Sequence, residues 1–276
     1  MKKREIYILG IESSCDETSA AVLLNDQVLS NCIASQQIHK DYGGVVPELA
    51  SRAHQSNIIP VVEKSLLDAN IDKNMLSAVA YTNGPGLLGS LLVGSSFSKS
   101  VSLGLDVPLI TVNHMHAHLF ANFIRRSGLS KPNFPFLGVN ISGGHTQLIL
   151  VEDFFKMKLI GNTLDDAIGE AFDKCGKILG LNYPAGPHID RLSSKGDSTK
   201  FSLPIARVKN FDFSCSGVKT AFQNLVKESK LKDPNFIKNN IYNLCASLQK
   251  CLVESVIRKI DSACLLYTSD AADEGL

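Results

Sequence analysis

The sequence predicts a mixed α/β protein made of two related lobes, and three observations support this fold class. A strand–turn–strand pattern occurs twice, about half a chain apart. Strand-like and helix-like stretches alternate between the two copies, and a proline-rich segment separates the halves. The chain has 276 residues, of which 44% are hydrophobic and 20% charged. This composition is typical of a globular protein with a sizeable core and excludes extensive disorder.

The two copies of the repeat align without gaps. Residues 8–11 precede the polar turn 12–18, and residues 136–139 precede the polar turn 140–146. Each copy has a Leu-Gly-Ile or Leu-Gly-Val run in its first strand and a threonine before its second strand. Repeated lobes usually indicate two like domains. Two unrelated hairpins are the alternative, but the matched Gly and Thr positions favour a duplication.

The segments after each repeat predict further alternation of strands and helices. Pro47 suits the first turn of a helix, and Pro60 predicts a kink in it. The prolines of segment 131–135 interrupt strand pairing, so we place the lobe boundary there, with lobes at 1–132 and 133–264. The pattern predicts strands at 28–35, 78–81, 109–112 and 158–160, and helices from 47 and at 88–103, 165–179, 214–226 and 239–260.

Charge and cysteine content exclude several classes of protein. Lys and Arg total 28 and Asp and Glu 27, a net charge of +1, which requires neither a membrane nor a nucleic-acid surface but permits a local basic patch. The seven cysteines are scattered without a C-x-x-C pair, as expected of reduced thiols in the cytoplasm. No apolar stretch reaches 18 residues, so we expect no membrane-spanning helix and no membrane partner.

A histidine cluster after the strand at 109–112 predicts a metal site. On a helix, His114 and His118 lie one turn apart on one face, the spacing of two ligands to one ion, whereas His116 points elsewhere. Imidazole suits zinc or iron, and a third ligand, expected to be a carboxylate, would come from elsewhere. The glutamate of an H-E-x-x-H zinc protease is absent. A polar helix start with exposed histidines is the alternative.

A glycine-containing turn follows the second copy of the first repeat strand. In Ser142-Gly143-Gly144-His145-Thr146, two glycines allow a ligand to approach the backbone, and the N–H groups then form a nest for an anion such as phosphate. A tight hairpin that uses glycine for positive φ is an equally good explanation. No Gly-Lys-Ser/Thr follows, so the turn is not a Walker loop.

Acidic residues offer weaker candidates for chemistry. Asp165, Asp166, Glu170 and Asp173 are expected on one helix face, where they would accept hydrogen bonds from ribose hydroxyls or form a solvated helix start.

The turn after the first strand offers a further acidic pair. Asp16 and Glu17 suit general acid–base or metal-shell roles, with an ordinary polar turn as the alternative. Cys15 has no neighbouring base to lower its pKa, so we expect no thiolate nucleophile there.

Taken together, these segments resemble the family that makes N6-threonylcarbamoyladenosine in tRNA, formerly described as an O-sialoglycoprotein endopeptidase. The resemblance runs from about residue 8 to about residue 260 and is closest to the bacterial branch. The segments that carry it are 10–18, 44–54, 84–87, 114–118, 142–146, 165–167, 169–174, 184–190 and 213–217.

The resemblance implies a two-lobed actin/Hsp70/sugar-kinase fold and an acyltransferase. The threonylcarbamoyl group would move from threonylcarbamoyl-AMP to N6 of adenosine 37 in tRNAs that read codons beginning with A, and AMP would leave. His114 and His118 would hold one divalent metal ion per subunit, Fe2+ or Zn2+. Asp16 and Glu17 are the catalytic candidates. Residues implied to bind ATP or threonylcarbamoyl-AMP are Ile141, Ser142, Gly143, Gly144, His145, Asp173, Gly186 and Asp190, the last on the ribose hydroxyls.

The resemblance also implies partners. They are the tRNA anticodon loop, a paralogous subunit of the same fold and a small ATPase subunit. Three alternatives remain: a non-catalytic paralogous subunit, an ATPase or kinase of this fold, and a metalloprotease. The histidine pair argues against the first two, and the missing glutamate weakens the third.

The end of the chain departs from the family pattern. The family continues with a strand, a Gly-Gly-Val-Ala-Ala-Asn-like loop and an Asp-Asn motif whose Asp is the third metal ligand. Residues 265–276 contain no counterpart of these features. We therefore expect a C-terminally truncated chain with an unrelated tail at 265–276, in which the third metal ligand is absent, the second lobe is incomplete and activity is weak or lost.

Overall fold

A computed structural model describes residues 5–125 and 130–273. For residues 40–41 and 267–273 it describes the backbone and not the side chains. The chain divides into two compact units, Met1–Pro132 and Asn133–Leu276, within the proline-rich segment. Each unit contains its own β-sheet and its own hydrophobic core. No helix among the described residues combines the length and apolar character needed to cross a membrane.

The first unit is built on a five-stranded sheet with the order β3-β2-β1-β4-β5. β1, β2 and β3 pair antiparallel, whereas β4 pairs parallel with β1 and β5 pairs parallel with β4. Its strands are β1 (Tyr7–Glu12), β2 (Glu17–Leu24), β3 (Gln27–Ser35), β4 (Leu76–Gly84) and β5 (Leu109–Asn113). Its helices are α1 (Pro47–Asp68), α2 (Leu88–Leu105) and α3 (His114–Phe120).

The core of the first unit lies between the sheet and its two long helices. Leu9 and Val22 are fully buried and cluster with Ile58 and Val62 of α1 and with partly buried α2 side chains. α1 begins at Pro47 as predicted, because proline lacks the N–H that a first-turn residue leaves unused. Pro60 lies inside α1, which continues through it to Asp68.

Within its described residues, 133–273, the second unit combines a three-stranded antiparallel sheet with four α-helices. Its strands β6 (Phe136–Ile141), β7 (Thr146–Val151) and β8 (Met157–Asn162) are paired in chain order. A core around Leu148, Phe222 and Leu248 joins the sheet to the helices. These are α4 (Ile168–Ile178), α5 (Gly186–Ser193), α6 (Ser216–Lys232) and α7 (Phe236–Asp273).

Several helix boundaries differ from the sequence prediction; α6, for example, continues to Lys232, beyond the predicted end at residue 226. α4 begins at Ile168 and not at Asp165, because the Asp165 carboxylate accepts hydrogen bonds from the first residues of another helix, α6. α7 extends to Asp273, beyond the predicted end at residue 260. The duplicated strand–turn–strand pattern is present as β1–β2 and β6–β7.

Candidate metal and nucleotide sites

The candidate metal site lies where three neighbouring parallel strands end. β1, β4 and β5 are adjacent in the sheet and run in the same direction, so their carboxyl ends share one edge. Glu12 is the last residue of β1, Thr82 lies near the end of β4, and His114 directly follows β5. Ligands of open α/β sheets bind preferentially at this edge.

The histidine pair is presented by a short, capped helix. Asn113 Oδ1 accepts hydrogen bonds from the backbone N–H groups of Met115, at 2.9 Å, and His116, at 3.2 Å, and so begins α3 at His114. Met115 and Leu119 are buried on the opposite face. His114 and His118 therefore share the other face, and their Nε2 atoms lie 3.0 Å apart.

This arrangement fits a metal ion chemically. Two imidazole nitrogens bound at about 2.0–2.1 Å to one tetrahedral ion lie about 3.3 Å apart, close to the observed separation. Small side-chain rotations would bring both Nε2 atoms to that distance. Among residues 5–125 and 130–273 no group of three or more His, Cys, Asp or Glu side chains is arranged to hold an ion. The absent third ligand stays a prediction.

Glu12 contacts His114, although no pattern in the sequence points to this residue. Its Oε1 accepts a hydrogen bond from the Ser14 N–H at 2.5 Å, and its Oε2 accepts one from the Thr82 hydroxyl and lies 3.3 Å from Nδ1 of His114. Burial favours a higher pKa for Glu12, but hydrogen bonds from His114, Ser14 and Thr82 outweigh it and lower the pKa to about 2. The side chain is therefore an anion that can only accept hydrogen bonds.

A cavity of ≈ 470 Å³ adjoins the histidine pair in the first unit. Glu12, His114 and His118 provide polar groups at its wall. Most other lining side chains are small or apolar, among them Ile11, Ala21, Ala80, Val112, Ala117 and Ala121. A largely apolar cavity with a few convergent polar groups is the usual form of a small-molecule site.

The glycine turn closes the hairpin between β6 and β7 in the second unit. Ile141 pairs with Thr146, the Ser142 N–H donates to the His145 carbonyl at 2.8 Å, and the His145 N–H donates to Ser142 Oγ at 3.0 Å. Neither Gly143 nor Gly144 has a φ in the positive region, and a Cβ on either would meet no atom within 4 Å. The alternative that the hairpin uses glycine for positive φ is therefore wrong. The fold itself demands neither glycine, which favours the ligand-binding interpretation.

The same turn lies against the N-terminus of α4. The Gly169 N–H donates to the Ser142 carbonyl at 3.2 Å, and the Ile168 N–H donates to Thr146 Oγ1 at 2.9 Å. A Cβ on Gly169 would lie 2.5 Å from the Ser142 oxygen, so only glycine permits this approach. The turn therefore sits beside the positive end of a helix dipole, which favours an anion.

The remaining residues implied to bind nucleotide lie around α5. Asp173 Oδ1 accepts the Ala185 N–H at 2.7 Å, and burial raises the pKa of Asp173 despite that bond. Gly186 begins α5, and Asp190 lies one turn later. Gln249, which the sequence did not indicate, donates from Nε2 to Asp190 Oδ1 at 3.0 Å. Asp173 thus fixes the segment before α5, and Gln249 orients Asp190.

The other acidic candidates make local contacts in this structure. Glu17 is exposed and accepts a hydrogen bond from Ser35 Oγ at 2.8 Å. Desolvation and the Asp16 carboxylate raise the pKa of Cys15 to about 12, which makes a thiolate nucleophile unfavourable, as expected. Asp166 pairs with Lys174 at 2.6 Å, as does Glu170 at 2.9 Å, so these two carboxylates form ion pairs in this structure.

Comparison with known proteins identifies close relatives of the chain. A family model, TsaD, described as tRNA N6-adenosine threonylcarbamoyltransferase, matches residues 27–273. A protein of that name from Christiangramia forsetii is 54% identical over 263 residues, covering 95% of this chain and 77% of the relative. One from Porphyromonas gingivalis is 52% identical over 263 residues, with the same coverage of 95% and 77%.

A solved structure supports the fold class. Component A of (R)-2-hydroxyglutaryl-CoA dehydratase from Acidaminococcus fermentans superposes with a TM-score of 0.50 over 93% of this chain and 78% of that chain, at 15% identity. At this identity the likeness concerns fold alone. The predicted two-lobed α/β fold of the actin/Hsp70/sugar-kinase type is confirmed.

Proposed function

Because the chain belongs to the tRNA N6-adenosine threonylcarbamoyltransferase family, we propose that it transfers the threonylcarbamoyl group of threonylcarbamoyl-AMP to N6 of adenosine 37 in tRNAs that read codons beginning with A. The N6 lone pair attacks the carbamoyl carbon, the bond from that carbon to the phosphate oxygen breaks, and AMP leaves while N6 loses a proton. The convergence of the His114 and His118 Nε2 atoms at 3.0 Å beside a cavity carries the proposal.

The first lobe, residues 1–132, would hold the metal ion. His114 and His118 would bind one Fe2+ or Zn2+, and when bound the ion would supply Lewis-acid stabilisation of negative charge on the carbamoyl oxygen. Most of the side chains that line the cavity next to the pair are apolar, and they would contact the uncharged parts of a bound substrate. Asp16 and Glu17, on the turn from β1 to β2, are the candidates to accept the N6 proton.

The second lobe, residues 133–264, would hold the acyl nucleotide, with 265–276 as a tail outside the site. Ile141, Ser142 and His145 complete the turn in which Gly143 and Gly144 leave room for the phosphate next to the N-terminus of α4. Asp190, oriented by Gln249, would accept hydrogen bonds from the ribose hydroxyls. Asp173 and Gly186 would shape the wall of this site, since Asp173 anchors the residue before α5.

The proposed partners follow from the substrate. Adenosine 37 lies in the single-stranded anticodon loop, where a base can be turned out without opening a duplex. A net charge of +1 leaves the phosphate contacts to a local basic patch or to a partner. We propose that a paralogous subunit of the same fold and a small ATPase subunit share this work, and that the reaction takes place in the cytoplasm.

The experiment measures modified adenosine in tRNA. Purified protein receives threonylcarbamoyl-AMP and unmodified tRNA, and nucleosides are quantified by mass spectrometry. We expect the product to be lost in His114→Ala and His118→Ala, and kept in the control His116→Ala on the same helix. If the chain alone is too weak, the same variants are compared in a hybrid that carries the C-terminal segment of the Christiangramia forsetii relative after residue 264.

Two results would count against this proposal. ATP turnover with a sugar in the absence of tRNA would support a kinase of this fold. Full activity of a folded, metal-stripped protein would remove the ion from the mechanism and refute the role of the histidine pair.

A further inference from the structure

We propose that Glu12 is the positioning residue of the metal site: its carboxylate holds the proton of His114 on Nδ1 and thereby leaves Nε2 free to bind the ion. This inference rests on the proposed metal site and extends it to a residue on another element of the first unit. Glu12 ends β1, whereas His114 begins α3 a hundred residues later, and the two meet across the end of β4.

The Glu12 carboxylate is held by donors from three directions. The Ser14 N–H donates to Oε1 at 2.5 Å, and the Thr82 hydroxyl donates to Oε2. Nδ1 of His114 is 3.3 Å from the same Oε2 and also 3.3 Å from Oγ of Ser14, a hydroxyl that itself donates to the Glu12 carboxylate. A side chain held by a backbone amide and by a buried threonine has little freedom to leave His114. Glu12 therefore forms a fixed acceptor behind the imidazole.

A fixed acceptor decides which nitrogen of a neutral imidazole carries the proton. An ionised carboxylate has no proton to donate, so the nitrogen that faces it must be the N–H nitrogen. The proton of His114 then lies on Nδ1, and the lone pair lies on Nε2, which faces Nε2 of His118 at 3.0 Å. Hydrogen bonds of this kind orient metal-binding histidines and raise their basicity. The other candidate carboxylate with a described partner, Glu17, bonds to Ser35.

The substitution Glu12→Gln should reverse the direction of the hydrogen bond between residue 12 and His114 with almost no change in side-chain shape. The glutamine amide has one oxygen and one NH2 group, so the NH2 group must take the place of either Oε1 or Oε2. At the Oε1 position it would face the Ser14 backbone N–H, a donor that cannot rotate away. The NH2 group is therefore expected at the Oε2 position, where the Thr82 hydroxyl can turn to accept and His114 Nδ1 must accept as well. The proton of His114 would move to Nε2 and block the ligand atom.

The experiment uses the purified chain, with Zn2+ and Co2+ as probes. Dissociation constants are measured by competition with a chromophoric chelator, the visible spectrum of bound Co2+ reports its coordination, and nitrogen NMR of the metal-free protein reports the tautomer of His114. We expect the Nδ1–H tautomer in the wild type and the Nε2–H tautomer in Glu12→Gln, with about 10–100-fold weaker binding of both ions. Glu48→Gln, at an exposed carboxylate paired with Arg52 on α1, is the control and should bind like the wild type.

The outcomes separate this inference from the metal site on which it rests. A wild type that binds neither ion refutes the metal site and the role of Glu12 with it. A wild type that binds and a Glu12→Gln variant that binds equally well refute Glu12 alone. If Glu12→Gln does not fold, the wild-type NMR spectrum decides, because an Nε2–H tautomer of His114 would overturn the inference and an Nδ1–H tautomer would support it.

Discussion

Replacing Gly143 by alanine should stabilise the protein and weaken its binding of nucleotide. A Cβ at this position meets no atom within 4 Å, and φ lies outside the positive region, so the folded state accepts alanine without strain. The unfolded chain loses conformational freedom, which stabilises the native state by about 0.4–1 kcal/mol. For a chain of this size the melting temperature should rise by about 1–4 °C.

The effect on the ligand should have the opposite sign. If the backbone N–H groups of the turn hold a phosphate, a methyl group in the open space keeps the anion from at least one of them. Losing one hydrogen bond to a charged group costs about 1.5–3 kcal/mol, or about 10–150-fold in the dissociation constant. Calorimetric titration with ATP measures this change, and the KM for threonylcarbamoyl-AMP in the tRNA assay should rise by a similar factor.

Gly104→Ala in α2 is the matched control. A Cβ there also meets no atom within 4 Å, and alanine in a helix is favoured by about 0.5–1 kcal/mol, but the residue belongs to α2 of the first unit and not to the turn. Gly104→Ala should gain stability and keep its affinity for ATP. Unchanged ATP binding in Gly143→Ala would refute the phosphate-binding turn, and a lower melting temperature would show that the glycine serves the fold.

Three further predictions concern the stability of the folded protein. Gly169→Ala should lower the melting temperature, because its Cβ would lie 2.5 Å from the Ser142 oxygen and overpacking of this kind costs about 1–3 kcal/mol; thermal unfolding beside Gly104→Ala tests this. Asp165→Asn should cost about 1 kcal/mol at pH 7, because a neutral amide accepts the N–H groups of Cys215 and Ser216 at the start of α6 more weakly than the charged carboxylate does. Although desolvation opposes the shift, hydrogen bonds lower the pKa of Asp165 to about 2. The stabilisation by the Asp165 carboxylate should therefore be complete above about pH 4 and decrease toward pH 2. Urea titrations of the wild type and Asp165→Asn should give similar free energies of unfolding at about pH 2. Burial lowers the pKa of His54, so His54 should make the protein lose stability as pH falls below about 6.5, where the unfolded chain gains a proton that the folded chain does not bind. Urea titrations between about pH 5 and 8 should show a smaller slope for His54→Gln than for the wild type.

Local patterns in the sequence determined most of the secondary structure and the histidine pair of the proposed metal site. The two hairpins β1–β2 and β6–β7 follow from short apolar runs that alternate with polar turns, which are signals within a few residues. The pairing of His114 with His118 follows from the helical repeat alone, because residues four apart on a helix share a face. The family and its chemistry also follow from sequence, since long motifs occur in the expected order.

Contacts between distant residues were decided only by the tertiary structure. Glu12 reaches His114, and Gln249 reaches Asp190, across 102 and 59 positions of the chain, so no periodicity connects them. Asp165 has the sequence signature of a helix start, but its carboxylate caps α6, about fifty residues away, because the fold brings those backbone N–H groups to it. The open space above Gly143 and Gly144 is likewise a property of the packed chain, because sequence specifies which backbone is permitted, and only packing specifies what lies next to it.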